Sequence, residues 1–273
     1  MDLRIDTPPE TRPWIERLAR LGYAAKGVVY VLVGWLAADA ARGLGELPSG
    51  SEDVFGAVID QPFGRTMLAV IALGLIGYTL WRIVAAVADP ERKGSDAKGL
   101  AVRAYYLGSA VVHGALAAGA VRVLMAGRGR AQVGNGDEMP AHTATLMAQP
   151  FGRWLVGGVG VAFLVAAVYQ AWLALGRYRK KLKPYRLPEW AQPAVGPVVG
   201  FGLMARGLVF AIVGGFLMLA AWHARPEEAR GLAGALRAVL VQAGPWLLGL
   251  VAAGLAAYGV FNLLMARYRS IRP

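Results

Sequence analysis

The chain has 273 residues, of which 56% are hydrophobic and 17% charged, with a formal net charge of +12. A soluble domain carries about a quarter charged residues, so this composition points to a membrane protein and leaves no room for a large soluble domain. The absence of cysteine excludes disulfides, cysteine nucleophiles and thiolate metal sites.

Residues 1–13 are polar and read as a loose tail. Six apolar stretches follow: Leu21–Ala38, Thr66–Ala86, Ala104–Met125, Trp154–Leu175, Val198–Trp222 and Pro245–Ala266. Each is near the ~20 residues that cross a ~30 Å hydrocarbon layer. Ala38-Asp39-Ala40 has the form of a signal-peptide cleavage site, but the first stretch recurs later in the chain and is read as a retained span. Asp39 lies three residues before Arg42, which favours local pairing. Between the first two spans, Val54, Phe55, Val58 and Ile59 form one apolar stripe at helical spacing. Thr143–Ala148 and Gly231–Val241 match it, so all three outer loops are expected to carry short amphipathic helices. Pro62 and Pro150 then break the chain before the next span.

Self-similarity sets the architecture. Arg20-Leu21-Gly22-Tyr23-Ala24-Ala25-Lys26-Gly27-Val28-Val29-Tyr30 returns as Gly200-Phe201-Gly202-Leu203-Met204-Ala205-Arg206-Gly207-Leu208-Val209-Phe210. Gln61-Pro62-Phe63-Gly64-Arg65 returns as Gln149-Pro150-Phe151-Gly152-Arg153, and Gly74 and Tyr78 return as Gly254 and Tyr258. The units are residues 14–98, 99–183 and 184–273, each a pair of transmembrane helices. The expected fold is an all-α membrane protein with six transmembrane helices, arranged as three parallel two-helix repeats with pseudo-threefold symmetry. Basic residues gather in the segments on the side of the termini, notably Arg92, Lys93, Lys98 and Arg103, and Arg177, Arg179, Lys180, Lys181, Lys183 and Arg186. The positive-inside rule then places both termini in the cytoplasm. Arg177–Trp190, with Pro184 and Pro188, reads as the linker between the second and third units.

The motifs Arg20–Tyr30, Gln61–Arg65 and Tyr78-Thr79-Leu80-Trp81-Arg82 resemble those of the bacterial domain-of-unknown-function family 1206, multi-pass proteins built from tandem two-helix repeats. The resemblance covers about Trp14 to Ser270. It implies the repeat fold and an inner (plasma) membrane location, and brings no activity. The middle unit departs most: Ser109 stands where a basic residue is expected and Ala166 where a tyrosine is. Three helix pairs are also similar to mitochondrial carriers in architecture, but Pro62, Pro150 and Pro245 lack the paired acidic and basic residues that gate those proteins.

Overlaying the repeats picks out a candidate site. On the first helices, Lys26, Tyr30 and Gly34 correspond to Ser109, His113 and Ala117, and to Arg206, Phe210 and Gly214. On the second helices, Gly74, Tyr78 and Arg82 correspond to Ala162, Ala166 and Gln170, and to Gly254, Tyr258 and Asn262. Spacing of four puts each trio on one helix face. The polar members share one depth, about two turns from the ends on the side of the termini. Lys26, Arg82 and Arg206 give this layer its cations, and no carboxylate lies at that depth. Buried cations without anions are costly. Lipid phosphates, an anionic ligand, backbone carbonyls or water are candidate compensators, and snorkelling of the long side chains to the interface is the plain alternative.

The candidate ligand-binding set is therefore Lys26, Arg82, Arg206, Gln170, Asn262 and Ser109, bordered by Tyr30, His113, Tyr78 and Tyr258. The expected function is binding or transport of a small anion or anionic lipid through this layer. The alternative is a structural or interaction protein without a small-molecule substrate. Anionic lipid headgroups are the expected partners, and neither nucleic acid nor a cofactor is expected. His142 and His223 lack metal-ligand spacing, no nucleophile–base pair is visible, and no enzymatic activity is expected. The Gln-Pro-Phe-Gly-Arg motifs are expected to tuck Phe63 and Phe151 beneath the outer helices as anchors.

Overall fold

A computed structural model describes residues 12–47, 51–60, 63–89, 94–127, 139–176 and 192–268. Pro62, the Arg177–Trp190 linker and nearly all of the 1–13 tail lie outside these. The described residues form α1 (Arg12–Ala41), α2 (Ser51–Ile59), α3 (Gly64–Val87), α4 (Ala97–Ala126), α5 (Met139–Met147), α6 (Gly152–Ala174), α7 (Gln192–His223) and α8 (Leu232–Tyr268), with no strand among them. Six of these helices are long and apolar enough to cross a membrane: α1, α3, α4, α6, α7 and α8. The all-α, six-span architecture expected from the repeats is thus the one observed.

The outer helices form where the loops were read as amphipathic. In α2, Val54, Phe55, Val58 and Ile59 are all buried, and Glu52 reaches Arg122 of α4 at 3.3 Å. The third outer helix leads directly into the last span. Helix α8 breaks at Gly244, whose φ of 82° lets the chain turn immediately before Pro245. Asp39 and Arg42 form the expected local ion pair.

The Gln-Pro-Phe-Gly-Arg motif works differently from the expectation. Phe63 and Phe151 are 84% and 80% exposed, so neither ring is tucked beneath an outer helix. The physical reason is the backbone. Both residues adopt left-handed φ values of 61° at the start of α3 and α6, which swings the rings away from the protein. The glycine makes the close approach instead. A Cβ on Gly64 would lie 2.1 Å from the Val58 carbonyl oxygen, and one on Gly152 would lie 1.9 Å from that of Leu146. The arginine of the second copy caps a neighbour. Arg153 donates to the carbonyls of Ala221 and Trp222 at 2.6 and 2.9 Å, at the end of α7.

Neighbouring spans run antiparallel and meet along small residues, as close membrane packing requires. Two kinds of seam recur. Within the first unit, α1 and α3 meet where a Cβ on Gly22 would lie 2.5 Å from Tyr78 Cβ and one on Gly74 would lie 2.4 Å from Ala25 Cβ. Within the third unit, α7 and α8 repeat this pairing through Gly202 against Tyr258 and Gly254 against Ala205. Between units, α1 packs on α8 at Gly34 and Gly27, α7 packs on α6 at Gly214 and Gly207, and α4 packs on α3 at Gly114. Two of the between-unit seams share a cap. Arg20 of α1 donates to the carbonyls of Ala266 and Arg267 at 2.8 and 2.7 Å, and Arg103 of α4 donates to those of Ala86 and Val87 at 2.6 and 3.2 Å.

These seams order the spans as α4–α3–α1–α8–α7–α6. A closed threefold ring also needs α4 packed against α6, and the two helices form no seam of this kind. Units one and three therefore share the same two glycine contacts, while the middle unit leaves the ring open. Its sequence gives the reason. Tyr105 occupies the place of Gly22, and Ala166 that of Tyr78, so the tyrosine-into-glycine fit of the other units is lost.

Candidate functional site

The repeat overlay picks out charged residues on three helices, and the fold buries each of them. Lys26, Arg82 and Arg206 are only 5%, 9% and 8% exposed. Snorkelling to the interface is thereby excluded, because all three side chains end inside the bundle. No ion pair among the described residues involves them.

Their partners are aromatic. Lys26 Nζ stands 5.4, 5.5 and 6.0 Å from the ring centroids of Tyr258, Tyr78 and Tyr30. The Arg206 guanidinium lies 4.1 Å from the Phe210 ring, 4.8 Å from Tyr258 and 5.7 Å from Tyr30. The Arg82 guanidinium lies 4.9 Å from Tyr78 and 4.8 Å from Tyr106. The rings brace one another, Tyr30 meeting Tyr258 edge-on at 4.8 Å and Tyr23 meeting Tyr78 at 5.6 Å. Hydroxyls add donors' partners: Tyr30 accepts from Arg206 Nε at 2.9 Å, and Tyr78 accepts from Arg82 Nε at 2.8 Å.

A cation at the centre of a membrane helix costs about 2.5–3.5 kcal/mol on insertion scales, an upper bound for cations two turns from the helix ends. A desolvated cation–π contact returns about 2 kcal/mol or more. Rings on several sides of Lys26 and Arg206 are thus of the right magnitude to hold these charges dry. The sequence suggested that the tyrosines only border the layer; in the fold their rings stand directly against its cations.

Gln170 completes the layer on α6. Its Oε1 accepts from Arg206 Nη1 at 2.7 Å. Arginine only donates, so this bond fixes the amide orientation and turns Nε2 away from Arg206. Gln170 is 4% exposed, and Nε2 has no hydrogen-bond partner among the described residues. A buried donor left this way costs about 1–3 kcal/mol.

The remaining candidates sit at the margin. His113 Nδ1 is 2.7 Å from the Ser109 carbonyl oxygen, and its ring packs against Tyr78 at 4.6 Å. The Ser109 hydroxyl lies 3.5 Å from the same His113 nitrogen, on its own helix. Asn262 donates to the Tyr258 carbonyl at 2.7 Å, which steadies the helix turn that presents the tyrosine. Sequence reasoning missed Tyr23 and Tyr106 as ring partners, and it named Phe210 only as the repeat equivalent of Tyr30. The signal for two of them was present: Tyr23 and Tyr106 are repeat equivalents, one turn before Lys26 and Ser109 on the same helix face.

Fold and site together define a multi-pass α-helical membrane protein of three tandem helix-pair repeats around a layer of caged cations. The chain belongs to the family described as Domain of Unknown Function (DUF1206), whose model matches residues 21–89, 104–177 and 201–269. The resemblance read from the motifs is borne out. The chain is also similar to "Uncharacterized protein YxxB" of Bacillus subtilis (strain 168), at 32% identity over 262 residues covering 95% of this chain and 93% of that protein. No solved structure gives a significant match.

Proposed function

We propose that this protein binds a phosphate-bearing anion, either free or as the headgroup of an anionic lipid, at the layer formed by Lys26, Arg206 and Gln170, with Arg82 alongside. The observation that carries the reading is the Gln170 amide. It is buried beside Arg206 with Nε2 short of an acceptor, in a layer that holds three cations and no carboxylate among the described residues. An anion supplies the missing acceptor and lowers the electrostatic cost of the three charges at once. With both termini in the cytoplasm, as the basic loops favour, the layer belongs to the inner half of the plasma membrane. Movement of the anion across the protein is the transport form of the same reading. The competing reading is a structural protein, favoured by the aromatic cages, which already offset much of the cost of burial.

Gln170→Glu separates the two. It places a carboxylate next to Arg206 without changing shape, so the protein supplies its own anion. The expected result is higher thermal stability in lipid-poor detergent, together with about a tenfold loss of phosphatidylglycerol retention in native mass spectrometry, equal to ~1.4 kcal/mol. Arg206→Gln should lose retention similarly, whereas Arg267→Gln at the exposed end of α8 should not. Inorganic phosphate, added in place of lipid, distinguishes a free anion from a headgroup. Unchanged retention in both Gln170→Glu and Arg206→Gln, with no stabilisation of the wild type by inorganic phosphate, would return the layer to a purely structural role.

A further inference from the structure

The open place in the ring lies where two helices keep one of the two small-residue contacts of the closed seams and lose the other, Tyr105 standing in the place of Gly22. In units one and three the first helix offers Ala25 or Ala205 to Gly74 or Gly254 of the second. The middle-unit equivalents are Gly108 on α4 and Ala162 on α6. Both are exposed, and a Cβ on Gly108 would meet nothing within 4 Å. Tyr105, at the place of Gly22, is 47% exposed. A seam that is shut by side-chain contact in two units thus stands unfilled in the third.

The unfilled face leads to the cation layer. Ala162, Ala166 and Gln170 follow one another at spacing of four, so they share one face of α6. Exposure therefore passes along that face to a buried amide with a donor to spare and a guanidinium behind it. The opening is on the flank of the bundle, between two helices long and apolar enough to cross a membrane. The flank of a membrane-spanning bundle faces lipid.

We infer that the gap between α4 and α6 is a lateral doorway for an anionic membrane lipid, whose phosphate reaches Arg206 and Gln170 while its acyl chains lie against Gly108 and Ala162. The inference rests on the reading of the layer as an anion site, and it selects the lipid over a free anion. Charge complementarity argues for this occupant: the inner end of the face is cationic and short of acceptors, and its outer end is apolar and small-sided. A neutral lipid satisfies only the second condition. A free anion satisfies only the first and has no reason to approach from the side.

The test uses the cysteine-free chain. Gly108→Cys and Ala162→Cys are introduced together, and the folded protein is then bridged with a bifunctional thiol reagent that spans the gap. Phosphatidylglycerol retention is measured by native mass spectrometry on the same preparation before and after bridging. The expected result is about a tenfold fall on bridging, with lipid exchange into the bridged protein slowed similarly. A second variant, Gly108→Trp with Ala162→Trp, fills the gap by bulk alone and should behave like the bridged protein. Val70→Trp, on the 52% exposed face of α3, should retain lipid like the wild type. If Arg206→Gln lowers retention but neither bridging nor filling does, the doorway is wrong and the anion site stands. If Arg206→Gln also leaves retention unchanged, both fall. Equal stabilisation by inorganic phosphate in open and bridged protein would identify a free anion and overturn the lipid assignment. A bridge that joins two chains instead of one would make the gap an interface between copies, which also overturns it.

Discussion

Gly202→Val is expected to destabilise the bundle by about 3 kcal/mol, the upper part of the usual range for overpacking. A Cβ at this position would lie 2.5 Å from the backbone nitrogen of Tyr258 and 2.7 Å from its Cα. Backbone cannot move aside as a flexible side chain does, so α7 and α8 must separate. Gly215→Val on the same helix is the matched control, because a Cβ there meets nothing within 4 Å. It should change stability by less than about 0.5 kcal/mol. Thermal unfolding of the two variants, followed by circular dichroism in one detergent, checks the difference. Equal midpoints would mean that the α7–α8 seam is not closely packed. The consequence reaches the site as well, since parting the seam carries Tyr258 away from Arg206.

Tyr258→Ala is expected to cost about 4 kcal/mol, as for other buried aromatic truncations. The ring is 5% exposed and stands against Tyr30, Lys26 and Arg206 together. Two variants separate the lost volume from the lost counter-group. Tyr258→Phe keeps the ring face and should cost less than about 1.5 kcal/mol. Lys26→Met in the Tyr258→Ala background removes a cation that has lost part of its cage. It should recover about 2 kcal/mol, the strength of a desolvated cation–π contact. A double-mutant cycle of Lys26→Met and Tyr258→Ala measures the coupling directly. Coupling near zero would show that Tyr258 serves as packing and that Lys26 finds its compensation elsewhere.

Much of the architecture was legible because repetition and hydropathy act over long stretches. Val54, Phe55, Val58 and Ile59 announced a short helix by spacing alone, and the two copies of Gln-Pro-Phe-Gly-Arg marked equivalent helix starts. Overlaying the units also picked out Lys26, Arg82 and Arg206, and the fold sets Lys26 beside the Tyr258 ring that Arg206 also meets and the Tyr78 ring that Arg82 also meets. What surrounds them did not follow. Periodicity places Tyr30, Tyr78 and Tyr258 on inward faces, but which ring faces which cation depends on how the helices are set against each other. Phe63 and Phe151 misled for a local reason, since nothing in the letters indicates a left-handed backbone at a phenylalanine. The gap at α4 and α6 could have been suspected from Tyr105 and Ala166, which exchange the large and small partners of the other units. Such a swap could equally have made a reversed fit, and only the packing distinguishes the outcomes.

The most direct measurement is a density map of the full chain in nanodiscs containing phosphatidylglycerol. An anion site predicts phosphate density within hydrogen-bonding distance of Gln170 Nε2 and Arg206, with Lys26 still seated among Tyr30, Tyr78 and Tyr258. A layer closed on itself, with Nε2 bonded to a protein group and no density beyond ordered water, would contradict it.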